Sequence, residues 1–276
     1  MKLVDAHQHF WRLSRGDYAW LTPELRALYR DFEPGDLAPL LAENNVAATV
    51  LVQAAATEEE THFLVELARK HSFIKGVVGW TDFAAPDAAQ RIAALAAASG
   101  GVLKGLRPMI QDIADPDWMH RPDVQWGYEA LVDLDLTFDA LGYPIHLDNF
   151  LRLFDRYPSM RMVVDHCMKP VIREDRFDDW AVGMEKIARQ TPAFCKLSGL
   201  AAEAKPGWTT QTLRPYAGHV LSVFGPERVM WGSDWPVLEM AGTYEGWREA
   251  AETIVGHGPA FDRVFGGTAA EFYRIE

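Results

Sequence analysis

Residues 3–11 read LVDAHQHFW, a short apolar strand pattern that ends in two histidines. Further short apolar runs follow along the chain, and segments with helical periodicity separate them. The strand candidates are LVDAH (3–7), VAATVLVQ (46–53), IKGVVGW (74–80), VLKGLR (102–107), LDLTFDA (134–140), MVVDH (162–166), AFCKLSG (193–199) and VMWGSD (229–234). Eight such units in 276 residues favour a closed barrel over an open sheet. We therefore predict an α/β fold, a single (β/α)8 TIM-type barrel that takes up residues 1–276 as one domain.

Two connections in this barrel are too long to be simple turns. One runs from Phe10 to about Pro34 and the other from Pro108 to Pro122, and both follow strands. Loops that follow strands lie over the C-terminal face of such a barrel. Their aromatic and methionine side chains are suited to covering a small substrate, or simply to packing on the barrel rim.

Composition and charge exclude several classes of function. The chain is 49% hydrophobic and 24% charged, which is typical of a globular protein. A formal net charge of −12 repels phosphate backbones and anionic lipid headgroups. No stretch approaches the roughly 20 apolar residues that cross a bilayer. Only Cys167 and Cys195 are present, which indicates two buried thiols rather than a disulfide framework. We expect a cytoplasmic, unprocessed protein with no nucleic-acid or membrane partner, and we leave a homo-oligomer open.

Ionisable residues stand at the ends of three strand candidates. His7 and His9 are two residues apart, so their side chains point to the same side of the first strand. By itself the pair is weak evidence, because surface or capping histidines give the same pattern. Asp234 ends the eighth strand, the neighbour of the first in a closed barrel, and His166 ends the sixth. A purely structural role for these four residues is unfavourable, since each unpaired buried polar group costs about 1 to 3 kcal/mol of stability.

Strand alternation also predicts substrate contacts at the same mouth. Gln53, Arg107 and Asp139 each lie at the upper end of a strand candidate. Gln53 is a candidate hydrogen-bonding group, and Arg107 could donate to a carbonyl or carboxylate. Asp139 could accept hydrogen bonds from sugar hydroxyls. A structural ion pair is the alternative for both Arg107 and Asp139.

Four further residues near these strand ends have predicted roles. His146 and Trp235 are expected to contact the substrate, the tryptophan by stacking on a ring. Asp5 shares a side of its strand with His7 and is expected to orient that ring. Lys169 is either a donor to the substrate or a solvated loop residue.

Four motifs carry a resemblance to a known family: DAHQHFW (5–11), KGLRP (104–108), DHCMKP (165–170) and WGSDWP (231–236). Together they resemble the sugar-lactone hydrolase branch of the amidohydrolase superfamily, the branch of the L-fuconolactonases, L-rhamnonolactonases and 2-pyrone-4,6-dicarboxylate lactonases. The resemblance spans nearly the whole chain. It implies a TIM-type barrel and a hydrolytic centre made of His7, His9, His166 and Asp234.

The sequence departs from the wider superfamily at two metal-ligand positions. Metal-dependent members usually add a histidine from the fifth strand and often a lysine or glutamate from the fourth. Here those strands end in Asp139 and Arg107. The resemblance then implies at most one divalent metal such as zinc, held by His7, His9 and Asp234 with His166 as a candidate extra contact, since three protein ligands and water suffice for catalytic zinc. Whether the metal is required stays open, and no organic cofactor is expected.

A lactone is a cyclic ester, so its hydrolysis needs an activated water, a polarised carbonyl and a protonated leaving group. We expect Asp234 to act as the general base while His7, His9, His166 and Arg107 stabilise the oxyanion. The favoured substrate is a neutral aldonolactone, because only Arg107 is placed to meet a carboxylate. The alternatives are a dicarboxylate lactone hydrolase, a metal-dependent decarboxylase or hydratase of the same superfamily, and a non-catalytic sugar-binding protein.

Overall fold

The computed structural model of the protein describes residues 2–275. Within that part the strands are β1 (Leu3–Gln8), β2 (Val46–Val52), β3 (Ile74–Gly79), β4 (Leu103–Leu106), β5 (Thr137–Ala140), β6 (Arg161–Val164), β7 (Phe194–Leu197) and β8 (Val229–Trp231). All ladders are parallel, and the strands lie in one sheet in sequence order. A parallel bridge between Gln8 and Trp235 brings the chain after β8 back to the first strand. The predicted (β/α)8 barrel is confirmed.

Helices surround the sheet on its outer side. They are α1 (Pro34–Glu43), α2 (Glu58–Lys70), α3 (Ala88–Ser99), α4 (Gln125–Asp133), α5 (Leu147–Arg156), α6 (Asp178–Gln190), α7 (Leu200–Glu203), α8 (Thr210–Phe224), α9 (Tyr244–Val255), α10 (Pro259–Asp262) and α11 (Thr268–Tyr273). In the described part of the chain, no helix has the length and apolarity that crossing a bilayer requires. Cys167 and Cys195 are free and buried, as predicted.

Local sequence signals account for where the clearest helices begin and end. The Thr57 side chain accepts a hydrogen bond from the Glu60 backbone N–H and so caps α2. The Glu60 carboxylate does not complete a capping box, because it accepts hydrogen bonds from the backbone N–H groups of Ala54 and Ala55. This contact ties the start of α2 to the loop that follows β2. Gly100 ends α3 with a φ of +66° that favours glycine.

The first strand carries an irregularity that decides which side chains reach the barrel mouth. Asp5 pairs with Thr49 and Gln8 with Leu51, so β1 contains one more residue than β2 over this interval, which is a β-bulge. The Asp5 carboxylate accepts hydrogen bonds from the backbone N–H groups of His7 and Ser233 and from the Tyr244 hydroxyl. Its expected contact with the His7 ring is therefore wrong, because the extra residue breaks the two-residue alternation. Asp5 instead joins β1 to the segment after β8.

The interior of the barrel is closed at its N-terminal end by α11. Phe272, Tyr273 and Ile275 pack with Val4 and Ala48, which lie on the first two strands. A second and larger apolar layer lies between the strands and the surrounding helices. The opposite, C-terminal end of the barrel is left for the site.

Candidate active site

A cavity of about 230 Å³ opens at the C-terminal mouth of the barrel. Its polar wall includes His9, Arg107, Gln111, His166, Lys169 and Asp234. Its apolar wall includes Trp20, Leu25, Met109, Leu141, Val237 and Met240. The two long loops contribute Trp20, Leu25, Met109 and Gln111, so they cover the face on which they were predicted to lie.

The seam between the first and last strands places two histidines against a carboxylate. Backbone hydrogen bonds from His9 N to the Trp235 oxygen (2.7 Å) and from Asp234 N to the His7 oxygen (2.8 Å) fix the two segments. The Asp234 Oδ1 atom lies 3.3 Å from His9 Nε2 and 3.8 Å from His7 Nε2. The two rings meet at their Nε2 atoms, which are 3.1 Å apart. The predicted neighbourhood of these three residues is what the structure shows.

His166 reaches the same cavity from an unusual backbone turn after β6. Residues His166, Cys167, Met168 and Lys169 have φ values of 52°, 50°, 59° and 48°, in the left-handed region that non-glycine residues avoid. The turn brings His166 Nε2 to 3.9 Å from Asp234 Oδ1. Strain of this kind is retained where surrounding structure enforces it, and it is common at functional sites.

The His166 ring is held from behind by β7 and the glycine that follows it. Its Nδ1 atom lies 2.9 Å from the Ser198 hydroxyl. A Cβ atom built on Gly199 would lie 2.7 Å from the same ring nitrogen. Only glycine leaves room for the ring at this position, so the observed placement of His166 requires glycine at position 199.

Arg107 lines the cavity, and its guanidinium is also held by neighbouring protein groups. Its Nη1 atom forms an ion pair with Asp165 Oδ2 at 3.1 Å. Its Nη2 atom donates to the backbone oxygen and to Oε1 of Gln53, while Gln53 Nε2 donates back to the Arg107 oxygen at 2.8 Å. Gln53 is thus a brace for Arg107 and lies behind the cavity wall.

Beneath the cavity lies a buried ion cluster, made of Lys196, Asp139, Asp165 and Arg107, that sequence reasoning missed. The Lys196 ammonium is fully buried and lies 2.6 Å from Asp139 Oδ2 and 3.0 Å from Asp165 Oδ1. The Tyr273 hydroxyl, from α11, donates to Asp139 at 2.6 Å. Two cations and two carboxylates balance in charge, which makes their burial tolerable.

A signal for this cluster was present in the seventh strand candidate, AFCKLSG. Lys196 is the charged residue of an otherwise apolar strand. Lysine is almost never fully buried unless it is paired, so the strand required carboxylates from neighbouring elements. Asp165, the residue before His166, was the available partner on the adjacent strand end.

His7 connects the buried ion cluster to the cavity. Its Nδ1 atom lies 3.1 Å from the Lys196 ammonium. An ammonium can only donate, so Nδ1 accepts and the neutral ring carries its proton on Nε2, which lies 3.1 Å from Nε2 of the cavity residue His9. His9 is oriented the other way, because its Nδ1 atom lies 2.8 Å from the Val52 carbonyl oxygen and must donate to it. The ring of His9 therefore presents an unprotonated Nε2 beside Asp234.

Burial and charge set the protonation states of the site. Burial and the Lys196 ammonium lower the pKa of His7 well below its usual range, and burial lowers the pKa of His166 to about 4. Burial also lowers the pKa of His9. Burial opposes ionisation of Asp234, but His166 and the two other imidazoles outweigh it and hold the pKa of this carboxyl below its usual range. At neutral pH an ionised carboxylate thus faces neutral imidazoles.

Comparison with known proteins agrees with this geometry. The Amidohydrolase family model matches residues 4–275. The chain belongs to the amidohydrolase family. It is 44% identical over 279 residues to an L-fucono-1,5-lactonase of Burkholderia ambifaria, covering 99% of this chain and 96% of that protein. It is 34% identical over 290 residues to an L-fucono-1,5-lactonase of Burkholderia multivorans, again covering 99% and 96%.

A solved structure also resembles this amidohydrolase. It is an amidohydrolase from Burkholderia multivorans with bound zinc, 32% identical, with a TM-score of 0.94 over 100% of both chains. In the present chain, His7, His166 and Asp234 each offer a ligand atom, and these atoms lie within 4.8 Å of one another. This trio differs from the predicted His7, His9 and Asp234 by the exchange of one histidine.

Of the five predicted substrate contacts in this amidohydrolase, Arg107 lies on the cavity wall. The other four have polar atoms bound elsewhere, Gln53 to Arg107 and Asp139 to Lys196. His146 Nδ1 accepts a hydrogen bond from Tyr143 N, and Trp235 Nε1 donates to Glu239. The ion pair that was the alternative for Arg107 and Asp139 is formed in both cases.

Proposed function

We propose that this amidohydrolase hydrolyses a sugar-derived (aldono) lactone to its open-chain hydroxy acid. The observation that carries the proposal is an ionised Asp234 facing His7, His9 and His166 at the mouth of a small cavity. At about 230 Å³ the cavity is smaller than the pockets that bind drug-sized ligands, and it suits a single sugar ring. The two relatives named L-fucono-1,5-lactonase support the substrate class.

Asp234 carries the proton transfers in this proposal. It accepts a proton from a water molecule as the water oxygen attacks the lactone carbonyl carbon, and the carbonyl oxygen becomes an oxyanion. The intermediate then collapses, the ring C–O bond breaks, and protonated Asp234 returns its proton to the leaving oxygen. Lactone and water thus give one hydroxy acid, whose carboxyl group releases its proton to solvent at neutral pH.

Donors around the cavity stabilise the oxyanion. His7 carries its proton on Nε2, which lies 3.1 Å from His9 Nε2, and Arg107 lies 3.4 Å from the same His7 nitrogen and lines the cavity. Fixed donors in a buried site are worth more than donors in water, because they need no reorganisation during the reaction. His166 lies on the other side of Asp234 and is the third candidate donor.

The residues present also fit one divalent metal such as zinc. His7, His166 and Asp234 would hold it, since neutral imidazoles and an ionised carboxylate are zinc ligands. A bound ion would polarise the carbonyl oxygen and acidify a water molecule. To bind a metal through Nε2, His7 would carry its proton on Nδ1 instead. That nitrogen would then no longer accept from Lys196, and its nearest carboxylate oxygen is Asp165 Oδ1, 3.6 Å away. A metal and the Lys196 hydrogen bond therefore compete for the His7 ring.

Charge around the cavity supports a neutral lactone over a dicarboxylate. A dicarboxylate would call for at least two unpaired cations, and of the two cationic side chains on the cavity wall, Arg107 and Lys169, the first is already balanced by Asp165. The net charge of −12 would also repel a dianion at long range.

The test is a pH-indicator screen of aldono-1,4- and aldono-1,5-lactones with metal-free and with zinc-loaded protein, and with Asp234→Asn as the inactive control. We expect acid release from at least one neutral aldonolactone and none above background with the variant. A strong preference for dicarboxylate lactones, with rates that rise in added salt, would contradict the sugar-lactone assignment. Retention of ligand without turnover on the whole panel would favour a binding protein.

A further inference from the structure

Lys169 is the last residue of the left-handed turn that carries His166. Its backbone N–H donates to the His166 oxygen at 2.8 Å, and its φ is 48°. The turn is anchored from outside the barrel, where Trp180 Nε1 donates to the Cys167 oxygen at 2.7 Å. The backbone feature that places His166 therefore also places Lys169 on the cavity wall.

The ammonium group of Lys169 is held by neutral neighbours. Nζ donates to Gln111 Oε1 at 2.5 Å and lies 5.4 Å from the centre of the Tyr143 ring. Among residues 2–275 the structure shows no carboxylate within ion-pairing distance of it. The carboxylates that influence it through space are those of Asp234, Glu203 and Asp112.

This arrangement sets Lys169 apart from the other buried cations of the site. Lys196 contacts two carboxylates and Arg107 contacts one, so their charges are balanced within the protein. A mostly buried ammonium without a counter-ion is unfavourable, and burial lowers the pKa of Lys169 accordingly. Such a group is compensated when negative charge appears in the cavity.

Lactone hydrolysis produces that charge inside the cavity. The substrate is neutral, the tetrahedral intermediate bears an oxyanion, and the product bears a carboxylate. A cation with no partner in the resting protein interacts more strongly with the last two than with the first, which is the condition for raising kcat.

We propose that Lys169 is a catalytic residue that binds the oxyanion and then the carboxylate formed when the lactone ring opens. The inference rests on the proposed lactonase function. Gln111 supplies a neutral acceptor that keeps the ammonium at the cavity wall without cancelling its charge. The ligand class of this subsite is the carboxylate of an aldonic acid.

The experiment compares a carboxylate with its neutral analogue. Calorimetry gives Kd for L-fuconate and for L-fucitol, which replaces the carboxylate by a hydroxymethyl group, and steady-state rates are measured on L-fucono-1,5-lactone. For Lys169→Met we expect about a tenfold or greater rise in Kd for L-fuconate and a comparable fall in kcat, with KM changed by less than about threefold. The variant Lys169→Arg should recover part of both, because it retains the charge.

Two further variants separate the charge from the structure of the loop. Lys205→Met removes an exposed lysine and should change none of these values. Gln111→Leu removes the acceptor that holds the ammonium but leaves its charge, so it should raise the Kd for L-fuconate by less than Lys169→Met does. If Lys169→Arg binds L-fuconate no better than Lys169→Met, or if a folded Lys169→Met binds L-fuconate within about twofold of the parent protein, the proposal is overturned.

The same data separate this proposal from the lactonase function. Parent protein that turns over no lactone but binds L-fuconate in a Lys169-dependent way would refute the function and keep the subsite. Turnover with kcat and L-fuconate affinity both independent of Lys169 would refute the subsite and keep the function. Parent protein that neither turns over the lactone nor binds L-fuconate would refute both.

Discussion

The cavity and the buried ion cluster beneath it contain the same residue types, but only in the cluster does a fixed cation balance the carboxylate charge. Asp234 and Asp139 both follow or end a barrel strand, and both are buried. Asp139 lies 2.6 Å from Lys196, so its charge is cancelled by a fixed cation. Asp234 is surrounded by imidazoles and borders the cavity. A carboxylate at the end of a strand is thus available for chemistry when its neighbours are neutral imidazoles instead of a fixed cation and when it borders the cavity.

His7 belongs to both regions and shows how they are joined. One ring nitrogen accepts from Lys196, and the other lies 3.1 Å from Nε2 of His9, which lines the cavity. The closed cluster can therefore set the proton position on the side that meets substrate. Changes in the cavity should therefore lower kcat, and changes in the buried ion cluster should mainly lower the free energy of unfolding.

The largest expected effect is on turnover in Asp234→Asn. An amide cannot accept the proton from water, so kcat should fall by about 10³-fold or more, within the range of lost general-base catalysis. The free energy of unfolding and the Kd for L-fucitol should change little. Asp112→Asn, on the same cavity wall, is the matched control and should keep kcat within a few-fold. Near-normal kcat in Asp234→Asn would remove Asp234 as the base.

The next effect is on stability in Lys196→Met. Removing the ammonium leaves Asp139 and Asp165 facing each other without this cation, which should lower the free energy of unfolding by about 3 to 5 kcal/mol. Adding Asp139→Asn should recover part of the loss, because it removes one of the two uncompensated charges. Denaturant unfolding measures both. Lys186→Met, at an exposed ion pair with Asp148, should cost less than about 1 kcal/mol.

The pH dependence of turnover should reflect the depressed pKa values around the cavity. His166 has a pKa of about 4 in the folded protein, so it is neutral at pH 6, where an ordinary histidine is mostly protonated. The value of kcat/KM should stay level from pH 8 down to about 5 and then fall as His166 takes up a proton, with Asp234 following only at lower pH. A profile measured in metal-free buffer that falls near pH 6.5 would show that burial does not control these rings.

The smallest effect concerns metal content. Zinc added to the purified protein should saturate at one equivalent per chain by elemental analysis, since the described residues offer one cluster of three ligand atoms. His166→Ala should lower the zinc affinity more than His9→Ala, because His166 and not His9 belongs to that cluster. Chelation should leave activity unchanged or remove it in one step. Two tightly bound equivalents would mean that further ligands had been overlooked.

Much of the fold and the centre of the site could be predicted from the sequence. Short apolar runs with turn and helix patterns between them predicted the strands in order, and the observed strands lie within or near the predicted ranges. The last predicted residues of several strands leave the sheet, as in β6, which ends at Val164 while His166 turns into the cavity. The resemblance through four motifs agreed with the family match. The reason is that apolar periodicity and strand-end position are local properties of the chain.

Only the tertiary structure decided which polar groups are cancelled by one another. Lys196 meets Asp139 and His7, which lie 57 and 189 residues away in sequence, and Tyr273 reaches Asp139 across 134 residues. One extra residue in β1 turned Asp5 away from the His7 ring, although alternation placed them together. Pairing of buried charges depends on distances of a few ångströms between remote segments. The reason is that burying a charge is strongly unfavourable unless an opposite charge lies beside it. No local pattern contains those distances, so which aspartate stayed free for chemistry was settled by the closing of the barrel.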